Sequence, residues 1–112
     1  MNLPEHGWKN VVGSSKRNSC SCGSEKNHWI IFTGRNWPKS CSIKGCNNAA
    51  DRGLHMRNPD VHGERIIPGC AYCNINNDKT FILKSETVGA PANKQKSCDT
   101  LKAAILKEMY GV

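Results

Sequence analysis

The sequence predicts a single small domain of the α+β class, and three observations support this. The runs "AADRGLHM" and "GERIIP" favour β-strands, and the turn-rich "RNPDVHG" between them predicts a β-hairpin. A pair of closely spaced cysteines flanks the hairpin on each side. The segment "CAYCNINND", which contains the second pair, can begin a helix. The predicted order of cysteine turn, hairpin and helix is that of a treble clef, followed here by a C-terminal helix.

The two cysteine pairs predict a metal site. Cys41 and Cys46 are separated by four residues, Cys70 and Cys73 by two, and 23 residues lie between the pairs. This spacing is close to that of four-cysteine zinc sites, and soft thiolates suit zinc. A disulfide framework is disfavoured because the chain has seven cysteines, an odd number. A redox pair is disfavoured because no alternation of parallel strands and helices surrounds the "CAYC" segment.

Composition limits the classes of protein that the chain can represent. No apolar run approaches the roughly 20 residues that span a bilayer, so no membrane association is expected. The first residues lack the apolar core of a secretory signal, and we therefore expect a cytoplasmic protein. Only 6% of the residues are aromatic. A chain with so little apolar area commonly depends on a structural metal for folding.

The remaining cysteines suggest a second zinc ion. We expect Cys20, Cys22, His28 and Cys98 to be its ligands, which would join both ends of the chain into one domain. A set of two cysteines and two histidines, with His55 in place of Cys20, is an alternative. The simpler interpretation is that these cysteines are unpaired thiols and that His28 is only packed in the fold.

The run "CSIKGCNNAADRGLHMRNPDVHGERIIPGCAYCN" resembles the zinc-bound form of the HNH, or ββα-metal, module. The chain also resembles small cysteine-rich bacterial and phage proteins, over roughly residues 20 to 84. The matched positions are Cys20, Cys22, Gly23, His28, Trp29, Cys41, Cys46, His55, Cys70, Cys73 and Asn74. The resemblance implies a treble-clef fold. It leaves the function open, because treble clefs serve nucleases, ribosomal proteins and protein adaptors alike.

The resemblance also suggests catalytic residues, of which half are missing. His55 matches the general base of an HNH nuclease, and Asn74 fits the helix position that completes metal binding. The residue before His55 is Leu54, which cannot bind a hard cation, and the orienting asparagine is expected at or near Arg65. We therefore favour a protein that is not an enzyme.

Other interpretations of these residues stay open. Asp51 or His62 could supply the missing metal ligand, although His62 is most often only a polar turn residue in such a position. His55 could be a hydrogen-bonded core histidine. Asn74 could cap the zinc helix.

Charge indicates the class of partner. The formal net charge is +7, and residues 1–58 carry nine basic side chains against three acidic ones. The basic positions include the segment "KNVVGSSKR" and residues Arg35, Lys39, Lys44, Arg52 and Arg57, which could form a surface for phosphates. The preferred function is thus a non-catalytic zinc module that binds nucleic acid or a protein partner. The alternatives are a metal-dependent nuclease and a phage-type inhibitor of a host protein.

The rest of the chain is assigned from local patterns. Residues 1–19 are expected to be a flexible segment, and residues 20–112 a single zinc-binding domain. The segment "SEKNHWIIFTG" predicts a helix between Ser24 and Gly34 with His28 and Phe32 on one face. "TFILK" predicts a strand, and "DTLKAAILKEMYGV" predicts an amphipathic C-terminal helix. The three tryptophans are expected to be core residues.

Overall fold

The computed structural model describes residues 3–11 and 25–92. Within these ranges the chain forms an antiparallel sheet of four strands in the order β1-β2-β3-β4 and two α-helices. The strands are β1 (Lys9–Asn10), β2 (Arg52–Arg57), β3 (Arg65–Gly69) and β4 (Ala90–Pro91). The helices are α1 (Glu25–Thr33) and α2 (Ala71–Asn74). The predicted α+β class is confirmed in this coarse form.

The central hairpin of β2 and β3 confirms the sequence prediction. Its register pairs Leu54 with Ile67 and His55 with Ile66. Because successive side chains of a strand point to opposite faces, Leu54 and Ile67 lie on one face, and His55 and Ile66 on the other. We name the face with Leu54 the cysteine face and the face with His55 the helix face.

The cysteine face carries the main core of the described residues. Leu54, Met56 and Ile67 pack there with three buried cysteines and with side chains from loops on either side. These loop residues are Trp8, Ile43, Phe81 and Leu83, each at most 5% exposed. Burial of large apolar side chains contributes roughly 1.5–3 kcal/mol each to folding. The metal-ligand candidates are therefore part of the core itself.

Helix α1 covers the helix face and contacts β2, β3 and β4. It ends where predicted: Gly34 has a φ of 68°, and its N–H donates to the carbonyl of Ile30. His28 and Phe32 lie on one side of the helix with their rings stacked, as the spacing predicts. The approach to the sheet is close, because a Cβ at Gly53 would lie 2.5 Å from the Cβ of Glu25.

The described part of the N-terminal segment packs into the fold. Residues 3–11 fall in the stretch for which composition predicts flexibility, yet Trp8 is fully buried. Its backbone exchanges two hydrogen bonds with Phe81, and β1 pairs with β2 along Lys9 and Asn10. Burial of the large indole ring favours this order, and a composition-based expectation does not take it into account. The boundary at residue 20 stays a prediction.

Two further predictions are met in part. "CAYCNINND" forms a helix of only one turn, with Cys70 as the residue that precedes it. "TFILK" forms isolated bridges, from Phe81 to Trp8 and from Leu83 to Ile43, instead of a continuous strand. The reason is that Phe81 and Leu83 pair with different segments, so no ladder extends along either neighbour. The predicted C-terminal helix lies outside the described residues.

Within the described ranges, no helix is both long enough and apolar enough to cross a membrane. The longer of the two, α1, has nine residues.

Candidate metal centre

The first two cysteines are positioned by a tight turn, which we name the knuckle (residues 41–48). The N–H of Cys41 donates to Asn48 at 2.8 Å, and the N–H of Cys46 donates to Ile43 at 3.0 Å. Gly45 has a φ of 85°, a backbone conformation that glycine adopts without steric cost. The knuckle therefore directs both thiols inward, as its sequence predicts.

The other two cysteines come from the end of β3 and the start of α2. Cys70 is extended, with φ −118° and ψ 165°, and it precedes the helix. The N–H of Asn74 donates to the Cys70 carbonyl at 3.0 Å and closes the turn that carries Cys73. Because residues three apart lie on one side of a helical turn, both thiols face the knuckle.

The four sulfur atoms form a compact cluster, and three of their six separations match those of a tetrahedral zinc site. All four lie within 4.8 Å of one another. The measured Sγ–Sγ distances are 3.8 Å for Cys41 and Cys73, 3.7 Å for Cys46 and Cys70, and 3.9 Å for Cys73 and Cys46. A tetrahedral ion with bonds of 2.3 Å to sulfur requires separations of about 3.8 Å. The four cysteines are therefore close enough to hold a metal ion such as zinc.

The pKa values of the Cys41, Cys70 and Cys73 thiols differ from one another. Burial raises the pKa of Cys41 to about 11. Burial, followed by the neighbouring Cys70 and Cys41, raises the pKa of Cys73 well above its ordinary value. Burial also acts to raise the pKa of Cys70, but the backbone N–H of Cys73 and the amide of Asn48 outweigh it and lower the value to about 7. Cys70 is thus the first of these three to become a thiolate ligand.

Two polar side chains support the site from outside. The Asn10 amide donates to the carbonyl of Cys73 at 2.7 Å and also faces the carbonyls of Asn74 and Asn76 at 3.4 and 3.2 Å. The Lys84 ammonium donates to the carbonyl of Cys46 at 2.8 Å. Asn10 therefore holds the end of α2, and Lys84 holds the knuckle. Hydrogen bonds of this kind orient metal ligands.

Of the four predicted ligands of the second zinc ion, His28 is the one that lies in the described part of the chain. This residue is fully buried in α1, and its Nε2 lies 2.9 Å from the carbonyl oxygen of Pro91. Cys20, Cys22 and Cys98 lie outside the described residues. If Nε2 donates to this carbonyl, Nδ1 carries the lone pair and would be the ligand atom.

The residues of the predicted catalytic site are not brought together. His55 points to the helix face, whereas Leu54 lies in the core on the cysteine face. Asn74 belongs to α2, which carries Cys73 and therefore lies on the cysteine side of the sheet. Arg65 pairs with Met56, one position along from His55.

His55 instead lies between two carboxylates of the helix face. Its Nε2 is 3.5 Å from Glu25, and its Nδ1 is 3.7 Å from Glu64. Arg57 is 3.7 Å from the other oxygen of Glu64. His55 is 5% exposed, so this arrangement ties α1 to the hairpin. The carboxylates approach opposite ring nitrogens, which is a poor geometry for one shared metal ion.

The proposed replacements for the missing ligand lie elsewhere. Asp51 is exposed and precedes β2, and His62 is exposed in the turn between β2 and β3. The contacts of His55 with Glu25 and Glu64 involve neither residue. Among these residues, the four-cysteine cluster is the group of His, Cys, Asp and Glu that fits a metal ion.

Several residues that support the metal centre or contact His55 could not be identified from the sequence pattern. Asn10 and Lys84 act through side-chain bonds to carbonyls that are 63 and 38 positions away. Glu25 and Glu64 reach His55 from two separate elements. Only Asn48, two residues after a cysteine in the knuckle, could have been suspected from its position, and its amide donates to Cys70 at 3.6 Å.

No protein-family model, curated protein or solved structure matches this chain. The resemblance to HNH modules therefore rests on the quoted residues, and the metal centre rests on its own geometry.

Proposed function

We propose that Cys41, Cys46, Cys70 and Cys73 bind one structural zinc ion and that the chain is a non-catalytic, nucleic-acid-binding zinc module of treble-clef type. The observation that carries this proposal is the agreement of three sulfur separations, 3.7 to 3.9 Å, with a zinc tetrahedron. Four protein ligands close the coordination shell, which is typical of structural zinc, whereas catalytic zinc keeps one position for water.

The charge of the chain supports nucleic acid as the partner. Four thiolates with one divalent ion remove about two units from the formal charge of +7, so the chain stays basic. Lys9 and Arg57, two of the predicted basic positions, are direct partners across β1 and β2. Like charges placed opposite each other in a sheet are destabilising. Glu64 contacts Arg57 at 3.7 Å and offsets part of this repulsion, and an anionic partner at Lys9 would offset the rest.

The test combines metal analysis with binding to labelled duplex and single-stranded DNA. We expect zinc in the pure protein and an affinity for DNA that falls steeply as salt rises, with a slope near −0.9 per phosphate neutralised on duplex DNA. The variant Lys9→Gln should reduce this slope, whereas Lys26→Gln on α1 is the matched control. The absence of binding to any nucleic acid at roughly 50 mM salt would favour a protein partner. That partner could be a host protein that the chain inhibits, as in the phage-type alternative.

The alternative is a nuclease that uses His55 and Asn74, and a plasmid cleavage assay tests it. Cleavage of plasmid DNA with Mg²⁺, Mn²⁺ or Ni²⁺ that is lost in His55→Ala, while zinc content is retained, would overturn the non-catalytic proposal. The carboxylates on both sides of the His55 ring favour a structural role.

We also propose the second zinc ion, at Cys20, Cys22, His28 and Cys98. Its support is the sequence pattern together with the burial of His28. Two zinc ions per chain, falling to one in Cys98→Ser, is the expected result. A value of one in the parent protein would contradict it.

A further inference from the structure

The side of the metal centre that faces solvent carries an exposed aromatic ring. Tyr72 lies on α2 between two of the cysteines and is 65% exposed. Its backbone is held in place, because the Asn76 side chain donates to the Tyr72 carbonyl at 3.1 Å. Ile75, the residue after α2, is also exposed, at 72%. A ring presented on an ordered backbone needs no rearrangement before it stacks on a flat ligand.

A cavity of about 290 Å³ lies beside this ring. Lys44, Asn47 and Asn48 of the knuckle line it together with Lys79. No acidic side chain is among the described residues that line it. The cavity thus combines an aromatic face, two ammonium groups and amide groups, which are the groups that contact bases and phosphates.

The lysines also offset the charge of the zinc site. A four-thiolate zinc centre carries about −2, which by itself would repel phosphate. Lys44 and Lys79 line the cavity above it, and Lys84 contacts the knuckle at the Cys46 carbonyl. Three ammonium groups around a centre of about −2 leave this surface positive.

Further basic side chains lie at the sheet edge. Lys79 lines the cavity beside Tyr72, and the next residue, Thr80, lines a second cavity of about 560 Å³. Lys9 and Arg57, the cross-strand pair, line that second cavity as well. Consecutive residues are 3.8 Å apart at their Cα atoms. The chain thus passes directly from one cavity lining to the other, and Glu64, which pairs with Arg57, also lines the second cavity.

We propose that this surface binds single-stranded nucleic acid, with one base stacked on Tyr72 and the backbone passing Lys44 and Lys79 toward Lys9. This inference rests on the proposed function. A duplex keeps its bases stacked on one another, whereas an unpaired strand presents base faces to an aromatic side chain. An exposed ring beside a cation-lined cavity is therefore better suited to an unpaired strand.

The test measures the anisotropy of labelled single strands of about 12 nucleotides, DNA and RNA, and of the matching duplex. The parent should bind a single strand more tightly than the duplex. Tyr72→Ala should weaken single-strand binding roughly 5- to 150-fold, which corresponds to the loss of one stacked base. Tyr72→Phe should retain the affinity, because the ring remains.

Matched controls separate stacking from other effects. Ile75→Ala removes an apolar side chain of similar exposure next to α2, does not touch the cavity, and should leave affinity unchanged. Lys79→Gln should lower the salt slope by about 0.7 for a single strand, and Lys26→Gln should not. Zinc content should equal the parent value in each variant, since these side chains are exposed. Melting temperature should change little, since Lys79→Gln and Lys26→Gln each remove only an exposed cation–π contact, with Phe81 and Trp37 respectively.

The outcomes are distinguishable. Single-strand binding that is unchanged in Tyr72→Ala, or binding to duplex only, would overturn this inference and leave the proposed function intact. The absence of binding to DNA and RNA of either form would overturn both.

Discussion

The cysteine face of the hairpin is built around four thiols, whereas the helix face is built around aromatic rings and two buried histidines. On the cysteine face, apolar side chains from three loops pack with the sulfur atoms. On the helix face, α1 is fixed by direct contacts: Trp29 donates to the Val88 carbonyl at 2.8 Å and packs edge-on against Trp37, and His55 contacts Glu25.

The difference lies in where the stabilising free energy comes from. The loops on the cysteine face have little regular structure. Metal binding is therefore expected to be the main interaction that holds them together. The helix face relies on close packing and hydrogen bonds that need no ion. Loss of metal should therefore disorder the first face directly, whereas changes at the second should cost less and leave zinc bound.

The largest effect is expected from Cys70→Ser. Binding of a structural zinc ion supplies roughly 10–16 kcal/mol in small zinc domains, more than most domains have as net stability. The variant should be largely unfolded, as should the parent treated with a chelator. NMR amide dispersion reports the fold. The exposed knuckle residue Asn47 gives the matched control, since Asn47→Ala should fold and bind zinc. A native-like spectrum of Cys70→Ser would contradict the metal-dependent cysteine face.

Zinc affinity should depend steeply on pH. Cys41 and Cys73 have raised pKa values, about 11 for Cys41, so both hold protons at neutral pH that zinc must displace. Cys70, with a pKa lowered to about 7, keeps its thiolate to a lower pH. Stability supplied by zinc is thus present at high pH and is lost as pH falls.

Two displaced protons change log Kd by about two per pH unit, which is at least roughly 10⁴-fold between about pH 8 and pH 6, because Cys70 also takes up a proton in this range. Competition with a coloured chelator measures this dependence. A change below one log unit per pH unit would show that these thiols are not the ligands.

An intermediate loss of stability is expected from Gly53→Ala, which disturbs packing on the helix face and not on the cysteine face. The new methyl would lie 2.5 Å from the Cβ of Glu25 and 3.0 Å from Ile66, so α1 must move outward. Overpacking of this kind costs about 1–3 kcal/mol. Urea unfolding of the zinc-bound protein measures the loss.

The zinc content of Gly53→Ala should equal that of the parent, which separates it from Cys70→Ser. Ile31→Ala, an outward change on α1, is the control and should have little effect. Zinc loss in Gly53→Ala would mean that the two faces are not independent.

The smallest effect is expected at Asn10, whose amide joins β1 to α2. Asn10→Ala removes donors to the Cys73 carbonyl and its neighbours and should cost about 1 kcal/mol in urea unfolding. Asn10→Asp should cost more, because it places a carboxylate oxygen against carbonyl oxygens. If Asp were tolerated as well as Ala, the amide would not hold α2.

Local patterns account for the part of the fold that the sequence predicts. The hairpin, the helix that ends at Gly34 and the grouping of four cysteines each follow from residues that are close in sequence or regularly spaced. Such patterns predict an element without reference to the rest of the chain.

The remainder depends on contacts between distant segments. Trp8 could be expected to be buried, but its partner Phe81 could not be identified from spacing. The carboxylates on either side of His55 come from α1 and from the residue before β3. Sequence reasoning gave His55 a catalytic role as one hypothesis because it could not place these two carboxylates.

The bond between Asn10 and the end of α2 has a consequence for the newly made chain. Its donor and its farthest acceptor, Asn76, are 66 residues apart. At the usual rate of protein synthesis, this separation takes roughly 3 to 13 s to produce. During that interval Trp8 has no Phe81 to pair with, and Cys70 and Cys73 join Cys41 and Cys46 only near its end. The residues around Trp8 and Asn10 are thus made before their partners and are among the last to reach their final contacts, because they join the fold only after the whole zinc-binding region has been made.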